Sequence, residues 1–384
     1  MRKFNCIFSC LMLVCATTIA QQKAGFFPSD KNATRETIAL YKNLQQLKGK
    51  AVLFGHQDDL AYGVGWQYEK GRSDVKDVSG EYPAVFGWEL GHLELDSAKS
   101  LDQVPFEKIK EFIKFGYEQG AINTISWHFT NPLNGKSAWD VTPGSVASIL
   151  PGGSRHDTYV LYLDRLANFL KDLKGKKGEP IPVLFRPFHE LTGNWFWWCQ
   201  NVCSPDEFIS IWRFTADYLR NKKGIHHLLY VYNTAEFNSR EQFLERYPGD
   251  EYVDMVSFDS YQHQNAITEK GNDFIRQIDS RLKMLDEVAA EKGKLTAFAE
   301  TGYEAIPQAD WWTKVLLPAL KKYKPGYVLV WRNAGLMKDT GKMHFYAPYK
   351  GQVSEDDFKK FFNDPDIWFL KKTKAANLYK LKNP

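Results

Sequence analysis

The stretch Ile181-Pro182-Val183-Leu184-Phe185-Arg186-Pro187-Phe188-His189-Glu190 begins as a continuous apolar run and ends in Arg, His and Glu. A strand with one wet face alternates apolar and polar residues. A run without alternation is the mark of a parallel strand covered on both faces by helices. Polar groups gathered at the C-terminal end of such a strand sit where α/β barrels carry their chemistry.

Seven further β-rich runs share this character, at residues 51–55, 84–90, 122–129, 227–233, 253–261, 295–301 and 327–332, with 181–189 as the fourth of eight. Between them lie segments with apolar residues at helical spacing: 34–48, 105–118, 157–173, 205–220, 273–291, 310–322 and, as the expected last helix, 354–362. Eight strands alternating with helices predict an α/β fold, the (β/α)8 TIM barrel, as a single domain. No linker, low-complexity tract or internal repeat beyond this alternation interrupts residues 30–384.

The first twenty residues have the form of an export signal. Arg2 and Lys3 precede an apolar run from Phe4 to Ala16, followed by small residues up to Ala20. The run is short for a membrane span, which needs about 20 apolar residues. Residues 1–20 are therefore expected to be removed and residues 21–384 to form the catalytic domain, exported to the periplasm or the cell exterior. Of the 5 cysteines only Cys199 and Cys203 lie beyond the signal. Their spacing permits a small disulfide loop, and two free thiols equally.

The net charge of +4 includes Arg2 and Lys3, and no basic run carries interleaved aromatics, so nucleic acid is not an expected partner. Membrane insertion is not expected either, and the chain is expected to act as a monomer. An aromatic content of 15%, with 12 Trp, fits either a large core or flat platforms for sugar rings.

Polar residues recur at the predicted strand ends: His56-Gln57-Asp58, Trp88-Glu89, Trp127-His128, Arg186 to Glu190, Asp259-Ser260-Tyr261, Glu300-Thr301 and Trp331-Arg332-Asn333. Glu190 and Glu300 each follow apolar residues. A buried carboxylate without a partner costs on the order of several kcal/mol, so both must be functional or tightly paired. Hydrolysis of a glycosidic acetal uses such a pair. One carboxylic acid protonates the leaving oxygen while the other carboxylate attacks the anomeric carbon, and retaining enzymes hold the two about 5–5.5 Å apart. Glu190 is read as the acid/base and Glu300 as the nucleophile. No His pair has useful ligand spacing, so neither a metal nor another cofactor is expected.

The segment Arg186-Pro187-Phe188-His189-Glu190, with Gly193-Asn194-Trp195-Phe196-Trp197-Trp198, resembles the fourth-strand signature of glycoside hydrolase family 26, the β-mannanases. His189 stands where many related barrel glycosidases carry Asn, and Phe298-Ala299-Glu300 resembles the nucleophile strand. The resemblance implies that His128, Arg186 and His189 line the subsite of the cleaved sugar or orient the carboxylates. It implies that Tyr261 bonds the nucleophile, with Asp259 supporting the same strand end. Trp195 would stand beside the scissile bond on the leaving-group side, Trp331 would be the stacking floor, and Arg332 would reach further along the glycone side. His128 and His189 are the expected donors to the axial 2-hydroxyl of mannose. The implied substrate is mannan, glucomannan or galactomannan, as polymer or manno-oligosaccharide, cleaved at β-1,4 bonds.

Alternatives are release of mannobiose from chain ends, with residues 91–101 or 131–154 closing the cleft, action on lichenan or β-1,3-xylan, and glycan binding without catalysis. Trp88 and Trp127 read as packing, and at least one of Trp197 and Trp198 as core. His56, Glu89, His92 and Trp139 have no motif to decide them.

Overall fold

The computed structural model describes residues 27–263 and 272–381. The expected export signal lies outside them. Eight parallel strands follow one another around a closed barrel: β1 (Val52–Gln57), β2 (Val85–Glu89), β3 (Ile122–Ser126), β4 (Val183–Arg186), β5 (Leu228–Thr234), β6 (Met255–Gln262), β7 (Leu295–Tyr303) and β8 (Tyr327–Val330). Each strand pairs with its sequence neighbour, and β8 closes on β1, Leu53 facing Tyr327. The expected (β/α)8 barrel is the fold observed.

Helices return the chain between strands. They are α1 (Arg35–Leu47) before β1, then α2 (Asp74–Ser79), α3 (Phe106–Gln119), α4 (Ser145–Ile149), α5 (His156–Asp172), α6 (Pro205–Asp217), α7 (Arg240–Leu244), α8 (Asn272–Lys292) and α9 (Leu317–Tyr323). Helix α6 starts where its sequence says it should. Ser204 caps the Glu207 backbone, Glu207 returns a bond to Ser204, and Pro205 opens the first turn. The chain enters α9 through a wide turn at Trp312–Leu316, since Pro318 has no N–H to offer the turn before it. The expected last helix is α10 (Glu355–Phe362), but α11 (Leu370–Ala376) follows it. A short strand, β9 (Ile367–Trp368), pairs with the start of β1. These tail elements are too short for periodicity to reveal.

Strand alternation divides the core in two. Leu53, Val85, Ile122, Leu184, Leu229, Val231, Met255, Ala297 and Leu329 point into the barrel, where Leu40, Tyr41 and Leu44 of α1 close the N-terminal end. Phe54, Phe86, Trp88, Phe185, Tyr232, Phe258, Phe298 and Val328 point outward under the helices. The same alternation carried upward directs Gln57, Glu89, His128, Arg186, Asn233, Asp259 and Trp331 to the inner side of the C-terminal mouth.

Phe54 is fully buried at the centre of a ring cluster. Its centroid lies 4.9 Å from Phe369, 5.4 Å from Phe358, 5.7 Å from Phe361 and 6.0 Å from Trp312. Phe54→Ala is expected to destabilise the fold by about 3–5 kcal/mol. The measurement is the midpoint of denaturant unfolding, with the slope unchanged.

Candidate active site

Arg186 is a charged group buried in the mouth, 1% exposed. Its Nη1 donates to Asp259 Oδ2 at 3.1 Å and its Nη2 to Glu300 Oε1. Burial works against its charge, but Glu300 and Asp259 outweigh that and hold the guanidinium more firmly protonated than usual. Tyr261 donates its hydroxyl to the other oxygen of Glu300, at 2.9 Å. Burial and the charge on Glu300 keep Tyr261 a phenol, and so a donor.

Glu300 reaches this position through an irregularity in β7. Phe258 of β6 faces Phe298, while the next residue, Asp259, faces Glu300, so Ala299 is extra. Between β7 and β8 the register shifts over the same residues. Regular alternation from the inward Ala297 and Ala299 would send Glu300 outward beneath the helices. The bulge turns it into the mouth, a known use of bulges beside sites.

Glu190 stands just beyond β4. Phe188 and Glu190 both take the left-handed conformation, at φ 52° and 55°. This is uncommon for such residues and stored where surrounding contacts fix it. The fixing contacts are visible. The Glu190 N–H donates to Asn233 Oδ1 at 2.9 Å, and the Glu190 carbonyl accepts from Gly193 N–H at 2.8 Å and the Cys199 thiol at 3.4 Å. Asn233 Nδ2 in turn donates to Asp259 Oδ1 at 2.8 Å, tying the two sides of the mouth together. Cys199 and Cys203 are buried free thiols rather than a disulfide.

Oxygens of Glu190, Asp259 and Glu300 all lie within 4.8 Å of one another. Such a trio has the donors for a cation, but Arg186 already supplies positive charge to two of its members. The Trp195 indole N–H donates to Glu190 Oε2 at 2.6 Å. Burial, and then the charge on Glu300, push the Glu190 carboxyl up to about 7. At neutral pH the site therefore holds one carboxyl able to give a proton, beside a carboxylate fixed by Arg186 and Tyr261.

A second chain of groups runs along β2 and β3. Glu89 accepts from His128 Nδ1 at 2.7 Å, from the His128 N–H at 2.8 Å and from Ser126 Oγ at 2.8 Å. Burial disfavours a charged His128, but Glu89 overrides it and raises its pKa. Burial, then His128 and Arg186, push His189 well down. The two directions agree with the 2.9 Å contact between the Nε2 atoms, in which a protonated His128 donates to a neutral His189. His189 lies one layer behind His128, 1% exposed. Both nitrogens of His128 are thereby engaged within the protein, and the two imidazoles expected to face a sugar hydroxyl are bonded to each other.

Glu190, Glu300, His128, Trp195, Tyr261 and Trp331 all line one cavity of 440 Å³. Arg332 turns aside into a neighbouring depression. It pairs with Asp102 at 3.2 Å there and lies near the Tyr62 hydroxyl. Trp139 joins the catalytic cavity, its ring parallel to His128 at 5.2 Å. His56 is buried and bonded to Asp59. Trp88, Trp127, Trp197 and Trp198 are all core. Glu304, His344 and Tyr346 also face the cavity, and no motif in the sequence points to them. Asn233 and Glu89 carried a weak signal, a polar residue at the end of an apolar strand.

Two carboxyl groups facing each other across a barrel mouth, one with its proton affinity raised and one bonded to Arg186 and Tyr261, define the class: a glycoside hydrolase of the two-carboxylate kind. Residues 29–330 match glycosyl hydrolase family 26, and the chain belongs to that family. A family 26 β-mannanase from Bacteroides ovatus is 44% identical and superposes with a TM-score of 0.86, covering 91% of this chain and 99% of its own. A modular endo-β-1,4-mannanase from Cellulomonas fimi is 32% identical, with a TM-score of 0.80 over 90% of this chain and 78% of that one. A mannan endo-1,4-β-mannosidase of Bifidobacterium adolescentis is 33% identical over 351 residues, 87% of this chain. The chain spans 34% of that relative's length.

Since Trp195 bonds the charged form of Glu190, Trp195→Phe is expected to raise the Glu190 pKa further. Glu300→Gln, which removes the neighbouring charge, is expected to lower it. A carbon-13 NMR titration of the glutamate carboxyls reads both shifts, and movement in the same direction would contradict the electrostatic account.

Proposed function

We propose that this protein hydrolyses β-1,4-mannosidic bonds of mannan, glucomannan or galactomannan with retention of configuration. The observation that carries the reading is the approach of Glu190 and Glu300 to within 4.8 Å, with the Glu190 carboxyl pushed up to about 7. Inverting enzymes need a wider gap, about 6.5–9.5 Å, to admit a water between their carboxyls. The relatives named for mannanase activity support the substrate class.

In the first step Glu190 gives its proton to the glycosidic oxygen as that bond breaks. Glu300 attacks the anomeric carbon, and a glycosyl ester forms on its oxygen. Arg186 and Tyr261 hold Glu300 in line while its charge is consumed. With Glu300 neutralised, the main electrostatic cause of the raised Glu190 pKa is gone, so Glu190 is left as a carboxylate. It then takes a proton from water, whose oxygen attacks the anomeric carbon and releases Glu300. Trp331 is the face on which the cleaved sugar rests.

The protein works as an exported monomer, in the periplasm or outside the cell, free of nucleic acid and membrane. The charged start and apolar run of residues 1–20 support export. No helix among the described residues is long and apolar enough to cross a membrane.

Activity is expected to fall as pH rises through about 7, where Glu190 loses its proton. Glu190→Ala is expected to cost about 10²–10⁴-fold in kcat/KM on mannohexaose, and far less in kcat/KM on an aryl β-mannobioside whose leaving group needs no proton. Early products from mannohexaose read by chromatography distinguish chain-internal cleavage, which gives a ladder, from release of mannobiose alone. Proton NMR showing the α-anomer as first product, or a Glu300→Ala variant as active as the parent, would overturn the assignment.

A further inference from the structure

Beside the catalytic cavity lies a second one of 460 Å³. The two share Glu190, Trp195, Tyr261 and His263, but Glu300 and Trp331 line only the first. The acid gives its proton to the departing oxygen, so the space on the far side of Glu190 from the nucleophile is where the leaving sugar must lie.

This second cavity contains a carboxylate that the reaction does not use. Glu236, just past β5, has its side chain 46% exposed. Its Oε1 accepts from Ser260 Oγ at 3.1 Å and its Oε2 from Arg281 Nη2 at 3.1 Å. Arg281 comes from α8 and is 5% exposed. It also donates through Nη1 to Ser260 Oγ at 3.1 Å and through Nε to the Phe237 carbonyl at 3.2 Å. A guanidinium buried in this way is costly unless paired. Here the pairing fixes one partly exposed carboxylate at the cavity wall. The Glu236 carbonyl accepts from Thr192 Oγ1 at 3.0 Å, which locks its backbone to the segment following Glu190.

Each carboxylate oxygen accepts one bond from the protein and keeps capacity for another. Two adjacent ring hydroxyls of a pyranose can donate to one carboxylate, one to each oxygen. Because the group is already held, little ordering cost falls on binding. In a β-1,4 chain the leaving sugar presents O4 to Glu190 and carries free hydroxyls at C2 and C3. Mannose sets these axial and equatorial, whereas glucose sets both equatorial.

We propose that Glu236, clamped by Arg281 and Ser260, binds the C2 and C3 hydroxyls of the first sugar on the leaving-group side. The inference rests on the glycosidase reading of Glu190 and Glu300. In the reverse sense, Glu236 favours a sugar over water as acceptor. The ester bond to Glu300 then breaks, the acceptor O4 bonds the anomeric carbon, and its proton passes to Glu190.

The test compares Glu236→Gln with the parent on mannotetraose and on an aryl β-mannobioside, whose aromatic leaving group offers no ring hydroxyls. The ratio of kcat/KM for mannotetraose to that for the aryl substrate is expected to fall at least fivefold. Transglycosylation onto added mannobiose is expected to fall with it, while the alkaline limb of the pH profile stays in place. Ser260→Ala, which removes one support and leaves the ion pair, is expected to lower the same ratio less. It decides the matter should Glu236→Gln fail to fold. A ratio within twofold of the parent's overturns this inference alone. So does an equal loss on both substrates with a displaced alkaline limb, which would mean that Glu236 acts only through the charge on Glu190. A parent inactive on both substrates would remove the glycosidase reading, and this inference with it.

Discussion

The guanidinium of Arg186 sits inside the barrel mouth with almost no access to water, and two carboxylates, Asp259 and Glu300, converge on it. None of the three could be buried there alone, since each would carry an uncompensated charge. Together they form a fixed array that sets where Glu300 stands. Glu190 lies close enough to feel the charge on Glu300 but makes no bond to Arg186. Burial and the charge on Glu300 raise the proton affinity of Glu190, which stands outside that array.

The backbone around this array departs from regularity in two places, and both departures serve the carboxyl groups. The extra residue in β7 turns Glu300 inward. The left-handed residues after β4 bring Glu190 back over the mouth, and Asn233 spans from the Glu190 N–H to Asp259. Such conformations persist only where neighbours over-determine them. The neighbours here are the aromatic segment Phe196–Trp198, the Cys199 thiol and the strand-end amide of Asn233. The dense aromatic composition therefore serves two ends. Most Trp residues are core and hold the frame, while Trp139, Trp195 and Trp331 face the cavity.

Polarity is also layered. Glu89 charges His128, His128 bonds His189, and His189 stays neutral under the combined effect of burial, His128 and Arg186. The chain links the neighbouring ends of β2, β3 and β4 without offering a free imidazole nitrogen of His128 to solvent. Glu304, His344 and Tyr346, on the later loops, complete the polar lining of the catalytic cavity.

The amino-acid sequence by itself determined the barrel, because eight apolar runs separated by amphipathic segments can bury both strand faces in few other ways. It also singled out Glu190 and Glu300, because a carboxylate that follows apolar residues at a strand end must be functional or paired, while the roles of Arg186 and Tyr261 came from the family resemblance. Short elements such as α11, and partners supplied by loops, were beyond it. Trp139, Glu236, His344 and Tyr346 sit in segments without periodicity, so nothing local fixes where they point. Only the tertiary structure decided the inward turn of Glu300, since strand alternation from Ala297 would have faced it to the helices. It alone decided that His128 and His189 bond each other, and that Cys199 and Cys203 stay thiols. Register, bulge and ring orientation depend on contacts between residues far apart in the chain, and a linear pattern carries no distances between them.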